Sequence, residues 1–363
     1  MSISCGIVGL PNAGKSTLFK LMTSVPVEIA SYPFSTVDPN TGVIPLEDQR
    51  LNELYRVAQS SKVTYARLTV VDVAGLVKGA SRGEGLGNQF LAQIREMDLI
   101  IHVVGDFNLE ESLPGGEMSL NPVEKARDVN LELILADLST VEKRWDKTSR
   151  KSKSGEKEVL EEQELLERLY RHLNNELPAR SFPRSQKEAR YMKDMNLLSD
   201  KRVVYVLNRG EEKINQEIPP DFYEFVKKEE APLIPVCAKL ELELKDLEED
   251  EKEIFKQEYS LQKEALPEII RACYRQLEMI TFFTVKGEEA RAWLAQEGTT
   301  VIEAAGKIHT DMQKGFRAVE VVSCQDLIEA GNLAAARESG RARVEGKDYR
   351  VNEGDVLFIR FVA

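Results

Sequence analysis

At 363 residues the chain exceeds the size at which a single hydrophobic core stops growing, so two or three domains are expected. Its 42% hydrophobic and 30% charged residues describe an ordinary soluble protein, and no apolar run approaches the roughly 20 residues that span a bilayer, which argues against a membrane protein. A net charge of −12 repels polyanions at long range and excludes a general affinity for naked duplex DNA.

The first predicted element is a buried strand over residues 5–8, followed at once by Gly9-Leu10-Pro11-Asn12-Ala13-Gly14-Lys15-Ser16-Thr17. This is the G-x-x-x-x-G-K-[ST] loop in its strand-then-helix context. Glycines at both ends let successive N–H groups turn inward onto phosphate oxygens, and a helix starting near Lys15 adds its positive end. Lys15 is expected at the β- and γ-phosphates and the Ser16 hydroxyl on Mg²⁺; Gly9, Asn12, Ala13, Gly14 and Thr17 complete the phosphate-binding set. Next, Tyr32-Pro33-Phe34-Ser35-Thr36 stands where a first switch belongs, and Thr36 is the expected second hydroxyl ligand of Mg²⁺, ahead of Ser35 and Thr41.

A second strand, residues 68–73, runs into Asp72-Val73-Ala74-Gly75, a D-x-x-G quartet. P-loop hydrolases place an acid here near Mg²⁺, with Asp72 acting through water, and a glycine, Gly75, whose N–H meets the γ-phosphate. The glycine-rich segment after it, residues 76–87, reads as a switch of the order–disorder type. Leu76 occupies the place of the glutamine that orients the attacking water in Ras-like enzymes. A leucine cannot do so, so hydrolysis is slow unaided or uses another group, such as backbone, Lys78, Arg82, a metal ion or a partner residue. Lys15, Asp72, Gly75 and Leu76 therefore make up the expected catalytic set.

A third strand over residues 98–104 contains His102, read as a satisfied structural histidine. Residues 121–199 then carry leucines at helical spacing (131, 134, 135, 138, then 160, 165, 166, 169 and 173), which predicts a hairpin of two amphipathic helices with its tip at residues 149–155. Residues 143–157 near that tip hold a local excess of five positive charges, a solvated turn or a contact for RNA. Strands at residues 202–207 and 232–237 resume the α/β pattern. The first of them leads into Asn208-Arg209-Gly210-Glu211, where guanine-specific proteins use N-K-x-D; the second ends in Cys237-Ala238-Lys239, a small-residue loop suited to closing over a base. With the lysine missing and the acid one methylene longer, guanine fits poorly, at a cost on the order of 1 to 3 kcal/mol. Adenine is no longer excluded. Beyond residue 280, short strands at 280–285, 290–295, 317–322 and 356–361, a helix at 300–309 and turns at Lys286-Gly287 and Glu353-Gly354 predict a separate small α+β domain. Its His309 is lone and reads as a surface or packing residue. Cys5, Cys237, Cys273 and Cys324 lack metal or redox spacing and read as buried thiols, and no leader-like segment opens the sequence; the expectation is a cytoplasmic protein.

Taken together, G-L-P-N-A-G-K-S-T, Y-P-F-S-T-V-D-P-N-T-G-V, D-V-A-G-L-V-K-G-A-S-R-G-E-G-L-G-N-Q-F, N-R-G-E and G-K-D-Y-R-V-N-E-G-D-V resemble the YchF subfamily of Obg-related P-loop proteins over nearly the whole chain. The resemblance implies an α/β P-loop domain (residues 1–120 and 200–279), an inserted α-helical coiled-coil hairpin (121–199), and a C-terminal α+β TGS domain of ubiquitin-like β-grasp fold (280–363). It implies Mg²⁺-dependent hydrolysis of ATP at least as readily as GTP, and the ribosome or its 50S subunit as partner of a monomer. Asn208, Arg209, Glu211, Cys237, Ala238 and Lys239 become the base-binding residues. One departure stands out: family members carry a further histidine after the His102 strand, whereas residues 105–121 here contain Pro114-Gly115-Gly116 and none. In related proteins an asparagine at the Asn12 position helps hold a monovalent cation, so K⁺ is a further expected cofactor; equal turnover in K⁺ and Na⁺ buffers would remove it. A nucleotide-gated ribosome- or RNA-binding module with incidental hydrolysis, or a conventional GTPase, is the alternative. The order of D-x-x-G, N-x-x-E and C-A-K disfavours a small-molecule kinase.

Overall fold

The structure, a computed structural model, describes residues 3–23, 40–73, 86–107, 121–151, 156–259, 261 and 264–362. Thr36, Gly75, Leu76, the glycine-rich segment to residue 85 and the hairpin tip at 152–155 lie outside them, as does the Pro114-Gly115-Gly116 stretch.

The chain begins with strand β1 (Ile3–Val8) and helix α1 (Lys15–Thr23), then β2 (Thr41–Leu46), α2 (Gln49–Val57), β3 (Lys62–Thr64) and β4 (Ala66–Asp72). Helix α3 (Leu86–Glu96) and β5 (Leu99–Asp106) follow. The helical insertion comprises α4 (Pro122–Lys151), α5 (Lys157–Asn174) and α6 (Gln186–Met195). The sheet resumes with β6 (Arg202–Arg209), α7 (Pro220–Lys228), β7 (Leu233–Val236) and α8 (Ala238–Lys245). Six of these strands form one sheet in the order β2-β4-β1-β5-β6-β7, parallel except for β2. Helices cover both faces, so β5 and β6 are apolar runs buried nearly throughout. The chain leaves β1 for β4 on one side and later β5 on the other, which opens a crevice at the carboxyl ends of these strands, where such sheets bind ligands.

Helix α4 departs from the predicted single stripe. Ala126, Val129, Leu133 and Ala136 pack against the nucleotide-side core with Ile100, Val203 and Tyr205, whereas Ile134 and Val141 pack on Leu165, Leu166, Leu169 and Leu173 of α5. Leu135, expected inside, is exposed, because α4 serves two cores at once and its outward face falls between them. Polar residues are buried on this helix as well, Asn130 and Asp137 among them. Asp137 accepts from the Ser199 hydroxyl (2.7 Å) and from the N–H groups of Leu198 (2.8 Å) and Ser199 (2.7 Å). Asn130 donates to the Tyr205 hydroxyl (3.0 Å) and to Glu229 (2.9 Å), whose other carboxylate oxygen is ion-paired with buried Arg180.

His102 was expected to be satisfied, and it is not. It is buried in β5 with its ring 4.9 Å from that of Tyr205, and its Nε2 has no hydrogen-bond partner among the described residues. Burial, with Arg180 nearby, pushes its pKa from 6.5 down to about 3. The folded state thus disfavours the imidazolium, and the stability present above the unfolded value of 6.5 is lost as pH falls from there toward 3. Asp137 acts oppositely: burial, against its hydrogen bonds, raises it to about 6, so its contribution is present below the unfolded 3.8 and is lost as pH rises through 6. Between pH 6.5 and 4, His102→Leu should therefore gain on the wild type by about 1.4 kcal/mol per pH unit, read from urea midpoints at each pH. A pH-independent difference would mean that the histidine is charged in the folded protein.

The C-terminal segment is reached through α9 (Glu249–Glu258) and α10 (Ala265–Gln276). It contains β8 (Met279–Lys286), β9 (Glu289–Gln296), α11 (Val301–Ile308), α12 (Thr310–Lys314) and β10 (Phe316–Ser323). Helices α13 (Cys324–Ala330) and α14 (Leu333–Glu338) and strands β11 (Arg343–Glu345) and β12 (Asp355–Phe361) complete it. Lone His309 is exposed and caps α12 through Nδ1, which accepts from the Asp311 N–H at 3.2 Å. This C-terminal α+β unit is joined to the nucleotide portion through its sheet. Its sheet runs β11-β10-β12-β8-β9-β3, so its last strand, Lys62–Thr64, is supplied by the nucleotide portion. One face of this sheet has its own core around Phe282 and Leu357; the other shares a continuous core with Leu51, Leu54 and Leu68. Arg50 of α2 pins the junction, donating to Glu353 at 2.6 Å and lying over the Phe283 ring.

Candidate functional site

The loop between β1 and α1 meets the carboxyl ends of β5 and β6 so closely that two of its positions require glycine. A Cβ on Gly9 would run into the Val103 carbonyl oxygen, and Gly14, at φ +88°, would place one on the Asn208 amide. Asn12 is exposed and also left-handed (φ +60°), a conformation that asparagine tolerates better than most side chains. Within the loop the Ala13 N–H donates to the Leu10 carbonyl at 3.3 Å.

Lys15 is buried, and its Nζ donates to the Leu10 carbonyl at 2.8 Å. Burial lowers its pKa, and Asp72 opposes that shift. Asp72 ends β4, where its N–H is held by the Asn40 carbonyl (2.9 Å) and its Oδ2 accepts from the Ser16 hydroxyl at 3.0 Å. Two residues 56 positions apart thus meet as a hydroxyl and a carboxylate, a hard-oxygen donor set that suits Mg²⁺. Thr17 lies half-buried one residue on, within α1. Among the described residues no cluster of three or more His, Cys, Asp or Glu forms another metal site.

Asn208 joins the two halves of the site. Its Nδ2 donates to the Ala13 carbonyl (3.0 Å) and its Oδ1 accepts from the Ala238 N–H (3.1 Å), tying the phosphate loop to the loop after β7. Glu211 begins a short 3₁₀ turn, Glu211–Lys213, and its carboxylate is paired with Lys239 Nζ at 2.8 Å. Cys237 precedes α8 with a buried thiol, pushed up by burial. The side chain of Arg209 does not stand with these groups. It is buried and bonded to Asp106 (3.1 Å) and to the carbonyls of Gln216 (2.6 Å) and Glu217 (3.2 Å). A guanidinium with a carboxylate and two carbonyls in reach satisfies its donors there.

This is the arrangement of a P-loop nucleotide site, and comparison with known proteins places it. A family model described as a 50S ribosome-binding GTPase matches residues 4–136, and a YchF-GTPase C-terminal model, described as a protein of unknown function, matches residues 279–362. The chain is 40% identical to the ribosome-binding ATPase YchF of Bacillus subtilis over 99% of its own length and all of that protein. The chain belongs to the YchF family. The ribosome-binding ATPase YchF of Pasteurella multocida is 41% identical over 99% of both chains. The solved structure of the Schizosaccharomyces pombe YchF GTPase superposes with a TM-score of 0.87 at 32% identity, covering 99% of this chain and 98% of that one. The fold is thus the α/β P-loop domain with its helical insertion and C-terminal α+β YchF domain, and the chain is a nucleotide-site protein of that family.

Against this YchF frame, three residues that the sequence reading passed over surround the site. Lys213 Nζ donates to Asp106 at 2.9 Å, and Lys125 Nζ, from the base of α4, to the Gly105 carbonyl at 2.8 Å. The available signal was an acid closing an apolar strand, Asp106 after β5, as Asp72 closes β4.

Proposed function

We propose that this chain binds and slowly hydrolyses ATP with Mg²⁺, takes GTP less well, and acts as a nucleotide-controlled switch on the ribosome or its 50S subunit. The observation that carries the nucleotide preference is the 2.8 Å pairing of Glu211 with Lys239. A free carboxylate at this place would accept from guanine N1–H and N2–H₂; one engaged by an ammonium is a poorer acceptor, and adenine needs only a backbone carbonyl for its N6. Lys15 neutralises the β- and γ-phosphates, Ser16, Thr36 and Asp72 (through water) hold the metal, and the Gly75 N–H meets the γ-phosphate. Bound there, Mg²⁺ would offset the charge that builds on the phosphate oxygens. Leu76 leaves no side chain at its position to orient water, hence the slow turnover, and exposed Asn12 is the residue that would favour K⁺.

Calorimetry on nucleotide-free protein with Mg²⁺ tests this reading. ATP should bind about tenfold or more tightly than GTP, about 1.4 kcal/mol. Tighter GTP binding would make the chain a conventional GTPase. The ribosome enters from the relatives' names, and exposed Lys143, Lys147 and Arg150, spaced along one side of α4, favour an RNA contact through the arm. If turnover is indifferent to added ribosomes while binding to them still follows ATP, the chain is a gated binding module in which hydrolysis is incidental.

A further inference from the structure

We propose that the buried Asp106–Arg209 pair is a positioning strut that fixes Glu211 against Lys239, and so sets the choice between adenine and guanine nucleotides. The proposal rests on the reading of residues 208–211 as the base loop. Asp106 and Arg209 are register partners at the ends of β5 and β6, so both side chains leave the sheet at its ligand-binding edge. The carboxylate is fully used: Oδ2 by Arg209 Nε and Oδ1 by Lys213 Nζ, while the Asp106 carbonyl accepts from the Gly210 N–H at 3.3 Å. Arg209 then reaches forward to the carbonyls of Gln216 and Glu217.

These bonds close residues 209–217 into a ring, and Glu211 sits within it. The ring is anchored to the phosphate side, because Gly105, next to Asp106, lies so near the phosphate loop that a Cβ there would be 3.5 Å from the Ala13 Cα, and its carbonyl accepts from Lys125 of the arm. Glu211 and Lys239 are both substantially exposed, at 38% and 68% of their side-chain surface, and an exposed pair of long side chains does not fix its own geometry. The rigid element is beneath them. A guanidinium is suited to this work because its planar fork bonds an acid and two carbonyls at once, which an ammonium cannot do. With the ring slack, the Glu211 carboxylate gains access to the base edge, where guanine, with its two donors, benefits and adenine does not.

The test compares ATP, GTP and inorganic tripolyphosphate by calorimetry with Mg²⁺ for the wild type, Arg209→Gln and Arg209→Lys, with thermal unfolding alongside. Tripolyphosphate touches the phosphate loop alone and separates base recognition from general damage. Expected for Arg209→Gln is a narrowing of the ATP-to-GTP affinity ratio by about fivefold to tenfold, the scale of one or two lost buried hydrogen bonds, with tripolyphosphate binding unchanged. Arg209→Lys keeps the charge on Asp106, which protects folding, but loses the Gln216 and Glu217 bonds; it should narrow the ratio by a smaller factor. An unchanged ratio in Arg209→Lys and in any folded Arg209→Gln overturns the strut, as does equal weakening of all three ligands with a lowered melting temperature. A wild type that binds tripolyphosphate but neither nucleotide removes the base-loop reading itself, and the strut with it.

Discussion

Gly14→Ala is expected to weaken ATP binding by about a hundredfold or more while leaving the protein folded. A side chain at φ +88° costs about 1–2 kcal/mol. The new methyl would also occupy the position of the Asn208 amide nitrogen, forcing that side chain off both of its partners, Ala13 and Ala238. Each buried hydrogen bond adds about 0.5–1.5 kcal/mol, and a further penalty follows if the released N–H and carbonyl find no water. The loss falls on binding because Asn208 is what holds the phosphate loop and the loop after β7 at a fixed separation. Calorimetric titration gives the affinity and a melting curve the stability. Because Gly14 and Asn208 share one contact, their substitutions should not add: Gly14→Ala combined with Asn208→Gly should be worse than Asn208→Gly alone only by the backbone strain, about 1–2 kcal/mol. Strict additivity would mean that the clash is relieved some other way.

The second large effect concerns the C-terminal sheet. Removing residues 279–363 is expected to leave a chain that does not accumulate as a soluble monomer. Helix α2 would lose the cover over fully buried Leu51 and Leu54, at about 1.5–3 kcal/mol each, against a typical total stability of about 5–15 kcal/mol. Arg50 would lose Glu353 and Phe283, and β3 would become an unpaired edge available to other chains. Soluble fraction and size-exclusion profile decide it. A monomeric, ATP-binding fragment would show that the shared core contributes little and that the C-terminal unit is independent.

The junction between the two portions was not legible in the sequence. Strand β3 is three residues long, with no apolar run or alternation to announce it, and nothing local distinguishes Lys62–Thr64 from a connection. Its partner is β9, more than two hundred residues away, and pairing at that range is decided by tertiary packing. The buried face of α4 was misjudged for a related reason: leucine spacing identifies a helix that buries something, whereas Asn130 and Asp137 are inside because hydrogen-bond partners on β6, at the residue after α7 and on the Leu198–Ser199 turn meet them there.

What the sequence determined by itself was the chemistry carried by contiguous residues. The phosphate loop needs glycine at fixed places because backbone approaches backbone, and a lysine and a hydroxyl at the helix start; these requirements are local, and so is their signature. The same holds for the apolar runs that became the parallel sheet and for the D-x-x-G acid that closes β4. What only the tertiary structure decided was the use of side chains whose partners are distant: Arg209 bonded to Asp106 and to the carbonyls of Gln216 and Glu217, Glu211 paired with Lys239, His102 buried with no partner for Nε2 among the described residues, and a strand lent by one sheet to another. Propensity and motif operate over a few residues, whereas the satisfaction of a buried charge or an open sheet edge depends on whatever the completed fold brings to it.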